Sequence, residues 1–263
     1  QADPAWIEKS EALGLLSNIA LWRGESESAL KSATEARETF IGLSDSWGEL
    51  QALTPLVQAL NVLGRGAEAM AMLEVLEEVA THAADAGMRR VPALMRVAIL
   101  IQRGHPDALP LAEAMQADAD DEIFISDEQR TTLGFAQLQH GDVIEALITL
   151  NQARAVAGAP GPTAAASVAF ASALVAAGQP EEALEVCAAT EPIAVTFVDA
   201  YRLQVARAFA LARTGDTAGG EAALDAATKI VDGTQSRLDQ CLVRLARAAF
   251  LTATNQPATA AAA

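Results

Sequence analysis

The sequence predicts an all-α fold made of repeated helical hairpins. Of its 263 residues, 51% are hydrophobic but only 4% are aromatic, which favours helices whose small side chains pack closely. Six glycines recur at intervals of 40, 40, 37, 37 and 37 residues, each between two apolar stretches of helical period. A helix breaker at a nearly constant interval is typical of a helical-repeat array rather than a single globular core. The six glycines are Gly24, Gly64, Gly104, Gly141, Gly178 and Gly215.

The residues around each glycine explain why the chain turns there. Glycine adopts the left-handed conformation that ends a helix without the steric penalty of a Cβ atom. A small residue follows each glycine by five positions, except that Ala108 follows Gly104 by four. Gly134, seven residues before Gly141, occupies the position where two helices would cross. We therefore expect the two helices of each hairpin to approach closely. The other small residues are Ala29, Ala69, Ala146, Ala183 and Gly220.

This pattern resembles that of tetratricopeptide repeat (TPR) proteins. The segment LGFAQLQHGDVIEAL, residues 133–147, matches best, through a small residue, a Gly-Asp turn and a Glu-Ala pair; GQPEEAL, residues 178–184, comes next. The intervals exceed the 34 residues usual for TPRs. The repeats therefore resemble the long, degenerate TPR arrays in the C-terminal regions of bacterial signalling ATPases and transcription regulators. The resemblance implies a right-handed superhelical solenoid whose concave groove binds a peptide or a partner domain.

The repeats predict one continuous array. We expect residues 3–253 to form a single TPR-like solenoid of about six hairpins with a C-terminal capping helix, followed by a flexible tail at 254–263. The segment AVAGAPGPT, residues 155–163, is expected to be a long loop and not a domain boundary, because the 37-residue interval continues across it.

Prolines predict several helix boundaries. Pro4 is expected to begin the first helix, and Pro92 and Pro106 to begin the two helices of the third hairpin. Pro110 should shorten or bend the second of these helices. Pro55 predicts either a kink in its helix or a late start of that helix.

The net charge and the absence of known catalytic motifs argue against several functions. The 34 acidic and 18 basic residues give a net charge of −16, which opposes binding to nucleic acid or to an anionic membrane. Phosphate-binding, dinucleotide-binding, nucleophile-elbow and zinc-protease motifs do not occur in the sequence. We therefore expect a non-enzymatic protein with no cofactor and no metal.

Cysteines and histidines fit structural positions. Cys187 and Cys241 lie far apart in apolar segments and are expected to be buried, reduced thiols in a cytoplasmic protein. His105 and His140 flank turn glycines, where they can bond free carbonyls or interact with the helix dipole.

Two charged segments leave a binding alternative open. The acidic run at 117–122 could hold a hard cation, but it lacks the glycine and distal glutamate of an EF-hand loop, so a solvated loop is favoured. The basic segment at 87–96 could bind an anion or an acidic peptide, whereas salt bridges to neighbouring acids are favoured.

The TPR resemblance also implies where a partner would bind. The groove of such an array is lined by the first helix of each hairpin. Here its implied lining is rich in amides at one end and apolar along the rest, although part of that lining could be ordinary core. The lysines with which some TPRs hold a carboxylate tail are absent from these positions, so that activity is not implied. The candidate residues are Asn18, Gln58, Asn61, Leu94, Ile101, Phe135, Leu138, Arg202, Phe209 and Arg213.

These candidates predict a module that binds a peptide, a partner domain or another domain of the same chain. The alternative is a small-ligand sensor that controls an ATPase or DNA-binding domain elsewhere. The amides of Asn18, Gln58 and Asn61 motivate that alternative.

Overall fold

The computed structural model describes residues 4–82, 86–117 and 127–254, and within them the secondary structure is helical. Thirteen α-helices and one short 3₁₀ turn, Glu191–Ile193, make up this described part. The helices are α1 (Pro4–Arg23), α2 (Ser26–Gly42), α3 (Ser46–Val62), α4 (Gly66–Thr81), α5 (Ala86–Gln102), α6 (Ala108–Ala117), α7 (Asp127–His140), α8 (Val143–Val156), α9 (Pro160–Ala176), α10 (Pro180–Thr190), α11 (Phe197–Arg213), α12 (Thr217–Asp232) and α13 (Arg237–Ala253).

The chain forms two compact units. The first comprises Gln1–Arg96 and Gly233–Asp239, and the second comprises Val97–Asp232 and Gln240–Ala263. In each unit a helix packs on the next one, and the first helices of successive hairpins also touch, as α1 touches α3 and α9 touches both α7 and α11. This packing confirms the predicted all-α array of hairpins. The single-domain range 3–253 stays a prediction, and residues 255–263 of the expected tail lie outside the described part.

All six turn glycines have the backbone conformation that was predicted for them. Gly178 shows how the turn closes: Gln179 N donates to Leu174 O at 2.9 Å and Gly178 N donates to Val175 O at 3.2 Å. These two bonds satisfy carbonyls at the end of α9, as in a Schellman motif. The φ angles are 76° at Gly24, 79° at Gly64, 65° at Gly104, 100° at Gly141, 79° at Gly178 and 92° at Gly215.

Small residues bring the helices of each hairpin together, as expected. The alanines that follow the turn glycines are 0–3% exposed. A Cβ atom added to Gly220 would lie 2.8 Å from Ala208 O, a backbone atom of α11, and 2.7 Å from Phe250 Cζ. A Cβ atom on Gly134 would clash with the Leu150 side chain. At these two crossings the helices therefore approach each other more closely than an alanine side chain would allow.

The structure excludes one of the two alternatives at Pro55, and the helix start predicted at Pro92 was wrong. Helix α3 begins at Ser46, well before Pro55, because Asp45 accepts a bond from Gly48 N at 3.0 Å and caps the helix there. The late start is thus excluded. Helix α5 begins at Ala86, so Pro92 lies inside it and does not begin it.

The other proline predictions had mixed outcomes. Helix α1 begins at Pro4, as expected. Helix α6 begins at Ala108 rather than Pro106, and its described residues end at Ala117, so the expected shortening stays a prediction. Pro110 lies in its first turn, where a helix has no intrahelical N–H bond to lose.

The expected long loop at 155–163 is wrong. Helix α8 ends at Val156 and α9 begins at Pro160, so only residues 157–159 connect them. Pro160 and Pro162 both lie in the first turn of α9 and fit there because prolines need no hydrogen-bond acceptor at a helix start.

The turn between α12 and α13 docks on the first hairpin. Gln235 N donates to Gly24 O at 2.8 Å, and Glu27 N donates to Gln235 Oε1 at 2.8 Å. Glu25, the residue before α2, makes no side-chain cap bond of its own. Gln235 therefore caps the start of α2 from 208 residues away in the sequence.

The two cysteines differ in their surroundings. Cys187 is buried, and burial raises the pKa of its thiol to about 11. Cys241 is exposed on α13, so its expected burial was wrong. The apolar residues around Cys241 in the sequence pack on other faces of α13, as the burial of Val243 shows.

We expect iodoacetamide at pH 8 to label the native chain at Cys241 and to leave Cys187 unmodified. The raised pKa leaves almost no thiolate at Cys187 at that pH, and the thiolate is the reactive form. Peptide mass spectrometry after a timed reaction measures the two sites separately. A Cys241→Ser variant is the control and should take up no label until urea is added; labelling of Cys187 in the folded variant would contradict the prediction.

Candidate functional site

The best-defined candidate surface lies on the first helices of the last three hairpins. Helix α9 packs between α7 and α11, and all three belong to the second unit. We call the side of these helices that carries Phe135, Ser172, Arg202 and Phe209 the α7–α9–α11 face. It contains most of the candidate residues predicted for this unit.

Helix α9 forms the floor of this face with small side chains. Val168 and Val175 are buried at 1% and 8% exposure. Ser172 is half-buried, and its Oγ donates to Val168 O at 3.0 Å within the same helix. Because these side chains of α9 are small, longer side chains of α7 and α11 can reach across the helix.

Arg202 and Phe135 meet across α9. The Arg202 guanidinium lies 5.5 Å from the centroid of the Phe135 ring and 5.9 Å from that of Tyr201. Arg202 Nε also donates to the Tyr201 hydroxyl at 3.3 Å. A cation over two rings is held in place by their negative faces. Arg202 is half-buried, so part of its charge remains accessible at the surface.

Phe209 and Leu138 are shared between the core and the face. Both are half-buried and pack against the cluster that contains Leu150, Val168 and Leu203. Phe209 also meets the Phe250 ring edge-on, at 5.7 Å between centroids and 74° between planes. The sequence left open whether these residues were core or lining, and they serve partly as core.

The other two candidate residues of the second unit, Arg213 and Ile101, lie away from the centre of the α7–α9–α11 face. Arg213 is the last residue of α11 and is exposed. Ile101 on α5 packs beside Val97 and Leu109, and its carbonyl accepts a bond from Gln139 Nε2 at 2.8 Å.

The remaining four candidates belong to the first unit. Asn18 Nδ2 donates to Gly14 O at 3.1 Å, so it is engaged by its own helix. Asn61 is buried at 6% exposure, Gln58 is exposed and Leu94 is half-buried. The structure therefore does not bring these amides together on one exposed surface.

Burial shapes the electrostatics beside Arg202. Burial raises the pKa of the Asp199 carboxyl, while the Thr196 hydroxyl bond and the Arg202 charge act in the opposite direction. On the other side of α9, Arg154 lies 4.6 Å from the Phe170 centroid and donates from Nε to Ser167 Oγ at 3.1 Å. Burial lowers the pKa of Arg154. On the α7–α9–α11 face itself, the Arg202 charge is the one supported by aromatic rings.

Part of the basic segment and the two turn histidines make contacts within the chain. Arg96 pairs with Glu77 at 2.6 Å, as favoured from the sequence. His140 Nδ1 lies 3.0 Å from Asp142 Oδ2, and His105 Nδ1 accepts from the backbone N–H of Asp107 at 3.2 Å. These ring atoms therefore contact residues of the following turn and not the helix carbonyls expected for them. The acidic run at 117–122 lies outside the described side chains. Within the described part, no group of three His, Cys, Asp or Glu residues could hold a metal.

Sequence reasoning missed the Arg202–Phe135 contact and an exposed apolar side of α1. The contact joins residues far apart in the chain that no local period links. The side of α1 had a sequence signal, because Leu15, Ile19 and Trp22 have the 4-3 spacing of a second apolar stripe.

The architecture defines the chain as an α-helical repeat protein. No protein-family model matches it, and no curated protein matches it. A solved structure that it resembles is a tetratricopeptide repeat protein from Parabacteroides merdae ATCC 43184. The identity is 15%, the alignment covers 97% of this chain and 90% of that one, and the TM-score is 0.49. None of the helices in the part of the chain that the structure describes is sufficiently long and apolar to span a bilayer.

Proposed function

We propose that the chain is a non-enzymatic protein-binding module and that the α7–α9–α11 face binds a peptide or a partner domain. The observation that carries the proposal is the Arg202 guanidinium held over Phe135 and Tyr201 on a half-buried face. Pre-positioned arginine and aromatic side chains are the residues that dominate binding energy at protein interfaces. Their fixed geometry lowers the entropy cost of ordering them on binding.

The chemistry of the face favours one kind of ligand. Arg202 and Arg213 on α11 supply positive charge, while Leu138 and Phe209 supply apolar surface. A segment with apolar side chains flanked by carboxylates would complement both. The net charge of −16 supports a protein ligand over nucleic acid or an anionic membrane. The proposal includes the context that the repeat resemblance implies, a larger bacterial regulatory protein in the cytoplasm.

An Arg213→Glu variant tests this assignment. Because Arg213 is exposed at the end of α11, reversing its charge should leave the fold intact and repel a carboxylate-bearing ligand. We expect capture of the specific partner from native extract, followed by quantitative mass spectrometry, to fall about tenfold, the size of a lost ion pair turned into repulsion. An Arg202→Gln exchange should have a similar effect.

The matched control is Arg244→Glu, which makes the same charge change at an exposed position of α13. It should capture the partner as well as the unchanged chain does. Equal loss with both variants would reflect net charge alone, and equal capture by all three proteins would place the binding surface elsewhere; either result contradicts the proposal.

A further inference from the structure

Helix α1 exposes large apolar side chains on the side turned away from its own unit. Leu15 is 67% exposed, Leu16 53%, Ile19 41% and Trp22 59%. Scattered exposed hydrophobic residues are common, but four on two turns of one helix form a contiguous patch. Such patches on soluble proteins mark sites of association.

This patch is not an edge of the core. The opposite side of α1 is already packed, because Ser10 and Ser17 are fully buried and Ala20 is 7% exposed. Leu13 and Leu21 from that side join the clusters formed with α2 and α3. Helix α1 therefore has two apolar sides, and its own unit covers only one of them.

The exposed side has the spacing of a helix–helix seam. Its stripe consists of Glu8, Ala12, Leu15, Ile19 and Trp22, which follow one another at intervals of 4, 3, 4 and 3 residues. At about 100° per residue, these five residues lie within roughly 80° of the circumference of α1. A 4-3 alternation is the pattern with which two helices pack along their length. We call these five residues the α1 stripe; all five are exposed.

Charges at the two ends of the stripe have opposite signs. Glu8 lies at its N-terminal end, and Arg23, exposed at the end of α1, borders its C-terminal end. Lys9, the basic neighbour of Glu8, is paired with Glu35 of α2 at 2.7 Å. The stripe thus presents an acidic end and a basic end to solvent.

We infer that α1 pairs in antiparallel orientation with α1 of a second copy of this chain. When Ile19 of one copy lies on Ala12 of the other, Leu15 lies near the two-fold axis and Arg23 faces Glu8 of the second copy. The large Ile19 then meets the small Ala12, the two Leu15 side chains meet near the axis, and opposite charges meet at both ends of the seam. A two-fold interface requires this kind of self-complementarity, because each contact occurs twice.

Antiparallel pairing with a second copy explains the stripe better than parallel pairing or an unrelated partner does. Parallel pairing would place Glu8 on Glu8 and Arg23 on Arg23, and like charges in contact oppose association. A partner of unrelated sequence gives no reason for the stripe to complement its own reverse. The inference goes beyond the proposed function, because the α1 stripe and the α7–α9–α11 face share no residue.

Charge reversal of the two ends provides the test, with sedimentation equilibrium of the full chain as the measurement. We expect the unchanged chain to dimerise and the Glu8→Arg and Arg23→Glu variants each to raise the dissociation constant roughly tenfold, because two exposed ion pairs become repulsions. An equimolar mixture of the two variants should regain the original affinity, since both end pairs are then opposite in sign. The Glu8→Arg, Arg23→Glu double variant should also regain it.

An Ile19→Asp variant tests the apolar part of the seam and should be monomeric at concentrations where the unchanged chain is a dimer. Circular dichroism should show unchanged helix content, because all substituted side chains are exposed. A chain that is monomeric at every concentration would overturn the inference and leave the stripe to a different partner. A dimer that neither single reversal weakens, or that mixing fails to restore, would overturn the antiparallel pairing.

Discussion

Replacing Gly220 with alanine should lower the free energy of unfolding by about 2 kcal/mol, although alanine is the better helix former. The added Cβ atom would lie 2.8 Å from Ala208 O and 2.7 Å from Phe250 Cζ. The phenylalanine ring can move, but the carbonyl belongs to the backbone of α11. Helices α11 and α12 must therefore separate, which loosens contacts along the whole crossing.

Urea unfolding followed by circular dichroism measures this change. The matched control is Gly14→Ala, because Gly14 also lies inside a helix but an added Cβ atom there has no neighbour within 4 Å. That variant should gain about 0.5–1 kcal/mol from the lower conformational entropy of its unfolded chain. Two changes of the same sign would show that the close approach at Gly220 does not limit stability.

Phe250→Ala should be the most destabilising single substitution, at about 3–5 kcal/mol. Phe250 on α13 is 1% exposed and packs against Ala208, Ala223 and Leu224 of the last hairpin. Truncation leaves a cavity that these small neighbours cannot fill. It also removes the edge-on contact with the Phe209 ring, which lies on the proposed binding face.

The control for Phe250→Ala is Leu245→Ala on the same helix, where the side chain is 66% exposed. That change should alter stability by no more than about 0.5 kcal/mol. The two variants can be compared by their urea midpoints, provided that the slope of the transition is unchanged. A loss at Phe250 no larger than the one at Leu245 would show that α13 does not serve as a cap.

The array could be predicted because its signals are local. Each turn glycine acts through its own φ angle, and the small residue after it acts on the helix directly opposite. Both requirements repeat at a fixed interval, so that even weak signals reinforce one another. The close approaches at Gly134 and Gly220 follow from the same rule.

Prolines predicted the helix starts less well than the glycines predicted the turns, for a physical reason. A proline tolerates the first turn of a helix because no N–H bond is lost there. It does not require that the helix begin there, since a longer helix can give up one bond when its neighbours bury it. Pro55 is buried within α3, whose start is fixed instead by the Asp45 cap. The opposite error occurred at Pro160 and Pro162: a loop was predicted there, but a helix begins at Pro160.

The candidate site could be predicted only in part. Placing Phe135, Phe209 and Arg202 on first helices required the repeat period alone, and the structure brings Phe135 and Arg202 together. Whether such a side chain lines a surface or fills the core depends on what lies opposite, which the period does not encode. Asn18 shows the limit, because its amide is engaged by Gly14 O in its own helix.

The contact made by Gln235 bears on the order in which the protein is completed during synthesis. The first hairpin leaves the ribosome before the residue that caps its second helix, because Gln235 lies 208 positions beyond Glu27. In most repeat arrays each unit needs only its immediate neighbours and can mature as it emerges. Here the α1–α2 hairpin must wait with an open helix end until the chain has been made as far as Gln235.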